Sequence, residues 1–213
     1  PEQDPVEAAV ERLTAEFGML FVVAAGNDPR EGSVGSPGST DAALTVGAVD
    51  KSDNLAPFSS RGQRVGDSAL KPDITAPGVE ITAALSRTAD VGAPPGTTHI
   101  AASGTSMATP HVAGSAAILA QQHPTWSATE IKAALMASAK PNPDVATYAQ
   151  GAGRVDVARS ITQTVTTSPA SVSFGLEQWP HADDTPDART VTYRNAGTAA
   201  VTLDLRLAGD LPA

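Results

Sequence analysis

The longest uninterrupted apolar run of the chain, the seven residues Met19 to Ala25, directly follows a helical pattern. A run without polar alternation is typical of a strand that is buried on both faces of a parallel sheet. The helix before it is predicted to begin at Pro5, with Asp4 as its capping residue, and to end at Gly18. A helix followed by such a strand favours the α/β class.

The next segments continue this alternation of helices and strands. Short strands between loops rich in Gly and Pro are predicted at Ala43 to Val49 and at Val79 to Leu85. Helices are predicted from about Ser106 to Gln122 and from Ala128 to Ala139. Ser127 and Glu130 have the spacing of a capping box, which marks the start of the last of these helices.

The composition changes abruptly after residue 160. Residues 161 to 213 contain no Lys and are rich in Thr, Val, Ser and Pro. Apolar and polar residues alternate over 190–194 and 201–207, with a turn predicted at 195–197. We therefore divide the chain into an α/β unit, residues 1–160, and the beginning of an all-β unit, residues 161–213.

Charge and cysteine content exclude several classes of protein. Fourteen basic and 23 acidic residues give a net charge of −9, and no segment concentrates Lys or Arg, so a nucleic-acid partner is not expected. The absence of Cys excludes a disulfide scaffold, a thiolate metal site and a cysteine nucleophile. The longest apolar run is far shorter than the ~20 residues of a membrane span, so no span is expected either.

The stretch from Gly104 to Gly114 contains a candidate catalytic residue, Ser106. It opens an apolar helix, and the N–H group of Ser106 would lie at the positive end of that helix, where it favours a developing oxyanion. A Gly-Thr-Ser sequence at a helix start is by itself more often a plain capping motif. The local pattern therefore leaves a catalytic and a structural serine open.

The eleven residues 104–114 resemble, residue for residue, the nucleophile motif of the subtilisin-like serine proteases. Further blocks that resemble this family stand upstream in the family's order, at residues 22–27, 34–38, 46–49, 58–62 and 71–78. The resemblance covers roughly residues 5 to 160. It implies a three-layer α/β domain with a mostly parallel sheet, of which the N-terminal part is missing, and a hydrolase that cleaves peptide bonds through an acyl-enzyme.

The same resemblance implies roles for individual residues. Ser106 would be the nucleophile, and Asn27 would be the side-chain donor of the oxyanion hole. Other residues would bind the substrate, because they form the floor and walls of the specificity pocket or the loop before the nucleophile. These are Ala24, Ala25, Gly26, Gly35, Gly104 and Thr105. Asp28 could place negative charge at the mouth of the pocket, although an ordinary loop carboxylate is equally consistent with the sequence.

The Asp and His of the family's catalytic triad belong to motifs upstream of the Asn27 block, and this chain does not contain them. The four histidines, His99, His111, His123 and His181, are predicted to have other roles. We therefore expect the isolated chain to be inactive and its partner to be the N-terminal part of the same protease. Two alternatives remain open, a non-catalytic subtilase-related binding or scaffold module and one fragment of a nicked protease.

Further expectations follow from the resemblance. Residues 165–175 and 191–197 resemble the opening of the fibronectin-III-like domain that follows the peptidase domain in some large secreted subtilases, which also implies an extracellular location. No cofactor is required. The loop 38–43 corresponds to a weak cation site built mostly from carbonyl groups, so structural calcium is an option and a simple turn is the alternative.

Overall fold

The structure is a computed structural model that describes residues 4–94, 96–177, 179–180 and 185–205. The helices are α1 (Pro5–Phe17), α2 (Thr105–Gln122), α3 (Ala128–Ser138), α4 (Thr147–Gln150) and α5 (Val157–Ser160). The strands are β1 (Val22–Ala24), β2 (Leu44–Val49), β3 (Ile74–Pro77), β4 (Ile81–Ala84), β5 (His99–Ala102), β6 (Val165–Ser168) and β7 (Thr192–Asn195).

A parallel sheet in the order β1-β2-β3 forms the centre of the fold. All six residues of β2 are buried, and α2 packs across the three strands. The core is made of aliphatic side chains from the sheet and from α2 and α3, among them Leu44, Val46, Ile74, Val112, Leu119 and Leu135. The predicted α/β class with a parallel sheet is confirmed.

The apolar run after α1 forms a shorter and less buried strand than predicted. Only Val22–Ala24 is extended as a strand, and its residues are partly exposed. The reason is that β1 is the outer strand of the described sheet, whereas β2 has a neighbour on each side. Met19, at the start of the run, is 46% exposed.

The predicted helix boundaries are confirmed to within one residue. The Asp4 carboxylate accepts a hydrogen bond from the N–H of Val6 at 2.7 Å, and Gly18 ends α1 in the left-handed conformation at φ 65°. At the start of α3, Ser127 and Glu130 form the predicted capping box. These signals are local, so the sequence alone determines them.

The segment from Val79 to Leu85 forms a strand, but outside the parallel sheet. Its strand, β4, pairs in antiparallel fashion with β5, so that Ile81 lies opposite Ala102 and Ala84 opposite His99. This hairpin leads directly into α2. Strands β3 and β5 were not predicted.

The chain beyond α5 packs against the α/β unit. Strand β6 pairs with β7 in antiparallel fashion, with Thr166 opposite Arg194, and lies against α3. The Arg194 guanidinium donates to the Glu130 carboxylate of α3 at 2.7 Å.

The predicted strands of the C-terminal region are found only in part. The strand at 190–194 appears as β7, whereas residues 201–205 form no strand and residues 206–207 lie outside the described residues. Within the part of the region that the structure describes, two strands are present, which does not establish a β-sandwich. No helix in the described ranges is long and apolar enough to cross a membrane.

Candidate active site

The loop between β5 and α2 is fastened to the end of β3. The N–H of Gly104 donates to the carbonyl of Gly78 at 2.8 Å, and the N–H of Glu80 donates to the Ser103 hydroxyl at 2.9 Å. Ser106 follows as the second residue of α2, and it is exposed. Its N–H belongs to the first turn of the helix, where backbone donors lack intrahelical acceptors. The loop thus presents a serine hydroxyl and a free N–H group at one helix end.

Asn27 is held against the same helix end by two hydrogen bonds. Its Oδ1 accepts from the N–H of Thr105 at 2.9 Å and from the Thr105 hydroxyl at 3.0 Å. The hydroxyl of Thr105 in turn accepts from the N–H of Gly26 at 3.2 Å. Because both contacts engage the amide oxygen, the Nδ2 group of Asn27 remains a donor for another acceptor.

Ser60 fixes the turn that carries Asn27, and it was not among the predicted site residues. Its N–H donates to the carbonyl of Gly26 at 2.9 Å, and its hydroxyl accepts from the N–H of Asp28 at 3.1 Å. A Cβ atom on Gly26, which has φ 108°, would lie 2.8 Å from the Ser60 hydroxyl oxygen. The one sequence signal that could have indicated a role for Ser60 is its place in the block 58–62, which resembles the subtilisin-like family.

The predicted pocket residues lie at the end of β1 and in the loop that follows it. Ala25 is 2% exposed, and its N–H donates to the carbonyl of Val46 at 2.9 Å. A Cβ atom on Gly38 would lie 3.2 Å from the carbonyl oxygens of both Ala24 and Gly35. The missing side chain of Gly38 therefore lets the Gly35 segment approach the end of β1.

Asp28 forms an ion pair with Arg30 at the surface. The Nε of Arg30 donates to Oδ2 of Asp28 at 2.9 Å. These hydrogen bonds from Arg30 lower the pKa of the Asp28 carboxyl. Since the carboxylate is already paired, the geometry favours an ordinary loop carboxylate over a free negative charge at the pocket.

The three described histidines are engaged elsewhere. The Nδ1 of His111 donates to the carbonyl of Met107 at 2.9 Å, and the ring of His123 stacks on Trp126 at 3.7 Å between centroids. His99 begins β5, and its ring contacts the Thr98 hydroxyl. At ~3.3 Å per residue, it lies about 10 Å from Ala102 at the other end of the strand. His181 lies outside the described residues.

Residues 1–153 match the family model described as the subtilase family. The chain belongs to the subtilase family. It is 36% identical over 173 residues to serine protease AprX of Bacillus subtilis (strain 168), a match that covers 75% of this chain and 39% of AprX. It is 42% identical over 107 residues to Proteinase T of Parengyodontium album, covering 49% of this chain and 31% of that protein.

Solved structures of two maturation proteases share the fold. The patellamide maturation protease PatA superimposes with a TM-score of 0.62 and 32% identity, covering 76% of this chain and 57% of PatA. The prenylagaramide maturation protease PagA gives a TM-score of 0.61 and 32% identity, with 56% of its chain covered. This subtilase chain therefore spans between about a third and rather more than half of these relatives.

A methyl group at Gly78 is expected to disturb the loop that carries Ser106. The added Cβ would lie 2.8 Å from both the Gly104 carbonyl oxygen and the Cβ of Ala48, in a buried position. We expect Gly78→Ala to lower the free energy of unfolding by about 1–3 kcal/mol, the usual cost of overpacking. Denaturant titration of the complete protease measures this change.

Gly114→Ala is the matched control for this variant. Gly114 lies on α2, and a Cβ atom there would meet nothing within 4 Å. Because Ala has a higher helix propensity than Gly, this variant should be as stable as the parent or more stable by up to ~1 kcal/mol. Equal stability of the two variants would contradict the close packing at Gly78.

Proposed function

We propose that the protease containing this chain is a serine endopeptidase in which Ser106 is the nucleophile. The observation that carries the proposal is the contact between Asn27 and Thr105. It holds the Nδ2 donor of Asn27 beside the start of α2, where the N–H of Ser106 is also free. Two donors next to an exposed hydroxyl form the arrangement that a tetrahedral oxyanion requires.

In this mechanism the Ser106 Oγ attacks the carbonyl carbon of a peptide bond, and its proton passes to a histidine from the upstream part of the protease. Asn27 Nδ2 and the Ser106 N–H stabilise the negative oxygen of the tetrahedral intermediate. The intermediate collapses to an acyl-enzyme as the amine leaves with the proton from the histidine. Water then attacks the acyl group as the histidine takes its proton, and the histidine returns a proton to the Ser106 oxygen as the acid product leaves.

The specificity pocket would be formed by Ala24, Ala25 and Gly26 on one side and by the Gly35 segment on the other, with Gly104 and Thr105 at its inner end. The small side chains of these residues leave space for a large apolar side chain of the substrate. Support comes from the approach of the Gly35 segment to β1, which Gly38 permits.

The partner of this chain would be the N-terminal part of the same protease, which supplies the catalytic Asp and His. The outer edge of β1 is where that part would extend the parallel sheet, because β1 has a described neighbour only on its β2 side. We propose peptide or protein substrates and no nucleic acid. Secretion is proposed by analogy with relatives such as minor extracellular protease Vpr of Bacillus subtilis (strain 168), which is 38% identical over 148 residues.

We further propose that residues 161–213 begin a fibronectin-III-like domain that follows the peptidase unit, residues 1–160. The pairing of β6 with β7 is consistent with two strands of such a domain. Their contact with α3, including the ion pair between Arg194 and Glu130, would fasten the second domain to the first.

Labelling with a serine-directed fluorophosphonate probe tests the proposed activity. The 213-residue chain joined to its upstream segment should be labelled at Ser106 and should digest an unstructured protein. The isolated chain should show neither reaction at a useful rate, because no described histidine contacts Ser106 and a serine hydroxyl needs a positioned base.

The two possible failures of this experiment have different meanings. Strong labelling and turnover in the isolated chain would show that a histidine of this chain, such as His99 or His111, acts as the base. A complete protein that folds but is not labelled would favour a non-catalytic binding module.

A further inference from the structure

The loop between β1 and β2 is held by two lysine side chains. The ammonium group of Lys71 donates to the carbonyls of Thr40 at 2.8 Å and Ala43 at 3.3 Å. The ammonium group of Lys132, on α3, donates to the carbonyls of Asp41 at 2.9 Å and Ala43 at 2.7 Å. Three carbonyl groups of one short loop thus converge on two cations.

Asp73 forms an ion pair with each of the two lysines. Its Oδ2 lies 2.8 Å from Lys71 Nζ, and its Oδ1 lies 3.3 Å from Lys132 Nζ. Lys71, Asp73 and Lys132 are 1%, 2% and 8% exposed, so this is a buried cluster of charges. Burial lowers the pKa of Lys71 to about 8, an effect that the charge of Asp73 partly opposes.

The oxygen atoms of this cluster form the kind of ligand set that calcium takes. Hard cations bind carbonyl and carboxylate oxygens, and calcium lies at about 2.3–2.6 Å from them. Here the carbonyls of Thr40, Asp41 and Ala43 already accept hydrogen bonds from ammonium groups. An ion bound to the same oxygens would lie next to two buried positive charges, which repel it strongly.

We propose that the ammonium groups of Lys71 and Lys132 take the place of a metal ion in the loop 38–43, so that calcium does not bind there. The cluster supplies internally the positive charge that a carbonyl-lined loop of this kind would otherwise take from a calcium ion.

The cluster also connects to the proposed specificity pocket. The Thr45 hydroxyl accepts from Lys71 Nζ at 3.0 Å and donates to the carbonyl of Gly38 at 2.5 Å. Gly38 is the residue that lets the Gly35 segment lie against β1. The wall of the pocket should therefore keep its position when calcium is removed from the solution.

A cavity lies beside the cluster. This cavity of about 520 Å³ is lined by Asp41, Asp73 and Lys132 together with residues of α3 and of the segment 167–173. The end of the cluster formed by Asp73 and Lys132 therefore borders an open space, and the expected exclusion of calcium rests on the occupied oxygens and the two positive charges.

The test compares the melting temperature of the complete protease in millimolar calcium and in chelator, for the parent and for Lys132→Ala. The variant frees the carbonyl of Asp41 and one oxygen of Asp73, and it leaves the Ala43 carbonyl with only its longer contact to Lys71 at 3.3 Å. In chelator we expect its melting temperature to fall by roughly 5–15 °C, because a buried charge loses a partner. Calcium should then restore several degrees of this loss, beyond its effect on the parent.

Lys140→Ala is the matched control, since its ammonium group is exposed and pairs with Asp53 at 3.2 Å. Its response to calcium should equal that of the parent, and this shared response measures any calcium bound elsewhere in the protease. If calcium raises the melting temperature of Lys132→Ala no more than it raises that of the parent, the proposal is overturned.

Diffraction from crystals of the unaltered protease soaked in a lanthanide salt provides a second test that does not depend on the folding of a variant. We expect no anomalous peak within about 2.3–2.6 Å of the carbonyl oxygens of Thr40, Asp41 and Ala43. A peak at that position would show that a metal ion displaces the lysines, and it would also overturn the proposal.

Discussion

Replacement of Ser106 by Ala is expected to abolish acylation and to lower kcat of the complete protease by about 10⁶-fold, the magnitude known for the nucleophile of subtilisin itself. The variant keeps the N–H of residue 106 and the Asn27 donor, so substrate binding should persist while the attacking oxygen is lost. Single-turnover kinetics and probe labelling measure substrate binding and acylation. Ser86→Ala is the matched control, because its exposed hydroxyl lies in the loop between β4 and β5 and contacts Thr88.

Wild-type kcat in Ser106→Ala would remove this serine from the reaction. A loss of the same size in Ser86→Ala would point to a general effect of serine substitution on folding. Circular dichroism of both variants separates these outcomes from a loss of chemistry.

Replacement of Asn27 by Ala should lower kcat by roughly 10²–10³ with little change in KM, again a magnitude taken from subtilisin. The donor acts on charge that develops only in the transition state, so ground-state binding should hardly change. Steady-state kinetics on a peptide substrate measure the two constants separately. Asn54→Ala is the control, since the side chain of Asn54 donates to Asp50 in an exposed turn.

Asn27→Asp separates the donor from its structural role. An aspartate keeps an oxygen that can accept from the N–H and hydroxyl of Thr105, but it replaces the Nδ2 donor by a negatively charged acceptor. Its kcat should fall at least as far as that of Asn27→Ala. Near-normal kcat in either variant would exclude Asn27 from the oxyanion hole.

Local signals made the helices predictable, and long-range pairing made several strands unpredictable. Asp4 and the Ser127 capping box act within four residues, so the ends of α1 and α3 can be identified in the sequence. Strand β3 ends in a proline and owes its place to pairing with β2, which the sequence of β3 does not encode. Strand β5 similarly depends on β4 across a long loop.

The same division applies to the candidate site. The motif at 104–114 made Ser106 a candidate nucleophile and the block at 22–27 made Asn27 a candidate oxyanion donor, in both cases only by resemblance to a family. The contact that orients Asn27 joins it to Thr105, 78 positions away, and no pattern in the sequence reports such a contact. The buried cluster was missed for a different reason, because lysines such as Lys71 and Lys132 are ordinarily exposed and are read as surface residues.

The separation of Asn27 from Thr105 also bears on when the site forms during folding. Both β2 and β3 lie between the two residues in the chain, so their contact requires the parallel sheet and α2 to come together. Contacts between residues so far apart in sequence form late, because closing a long loop costs conformational entropy before the new contacts stabilise the chain. An intermediate with formed helices but an undocked α2 would carry Ser106 without an oriented Asn27. The orientation of Asn27 therefore arises with the long-range closure of the chain and not with its secondary structure.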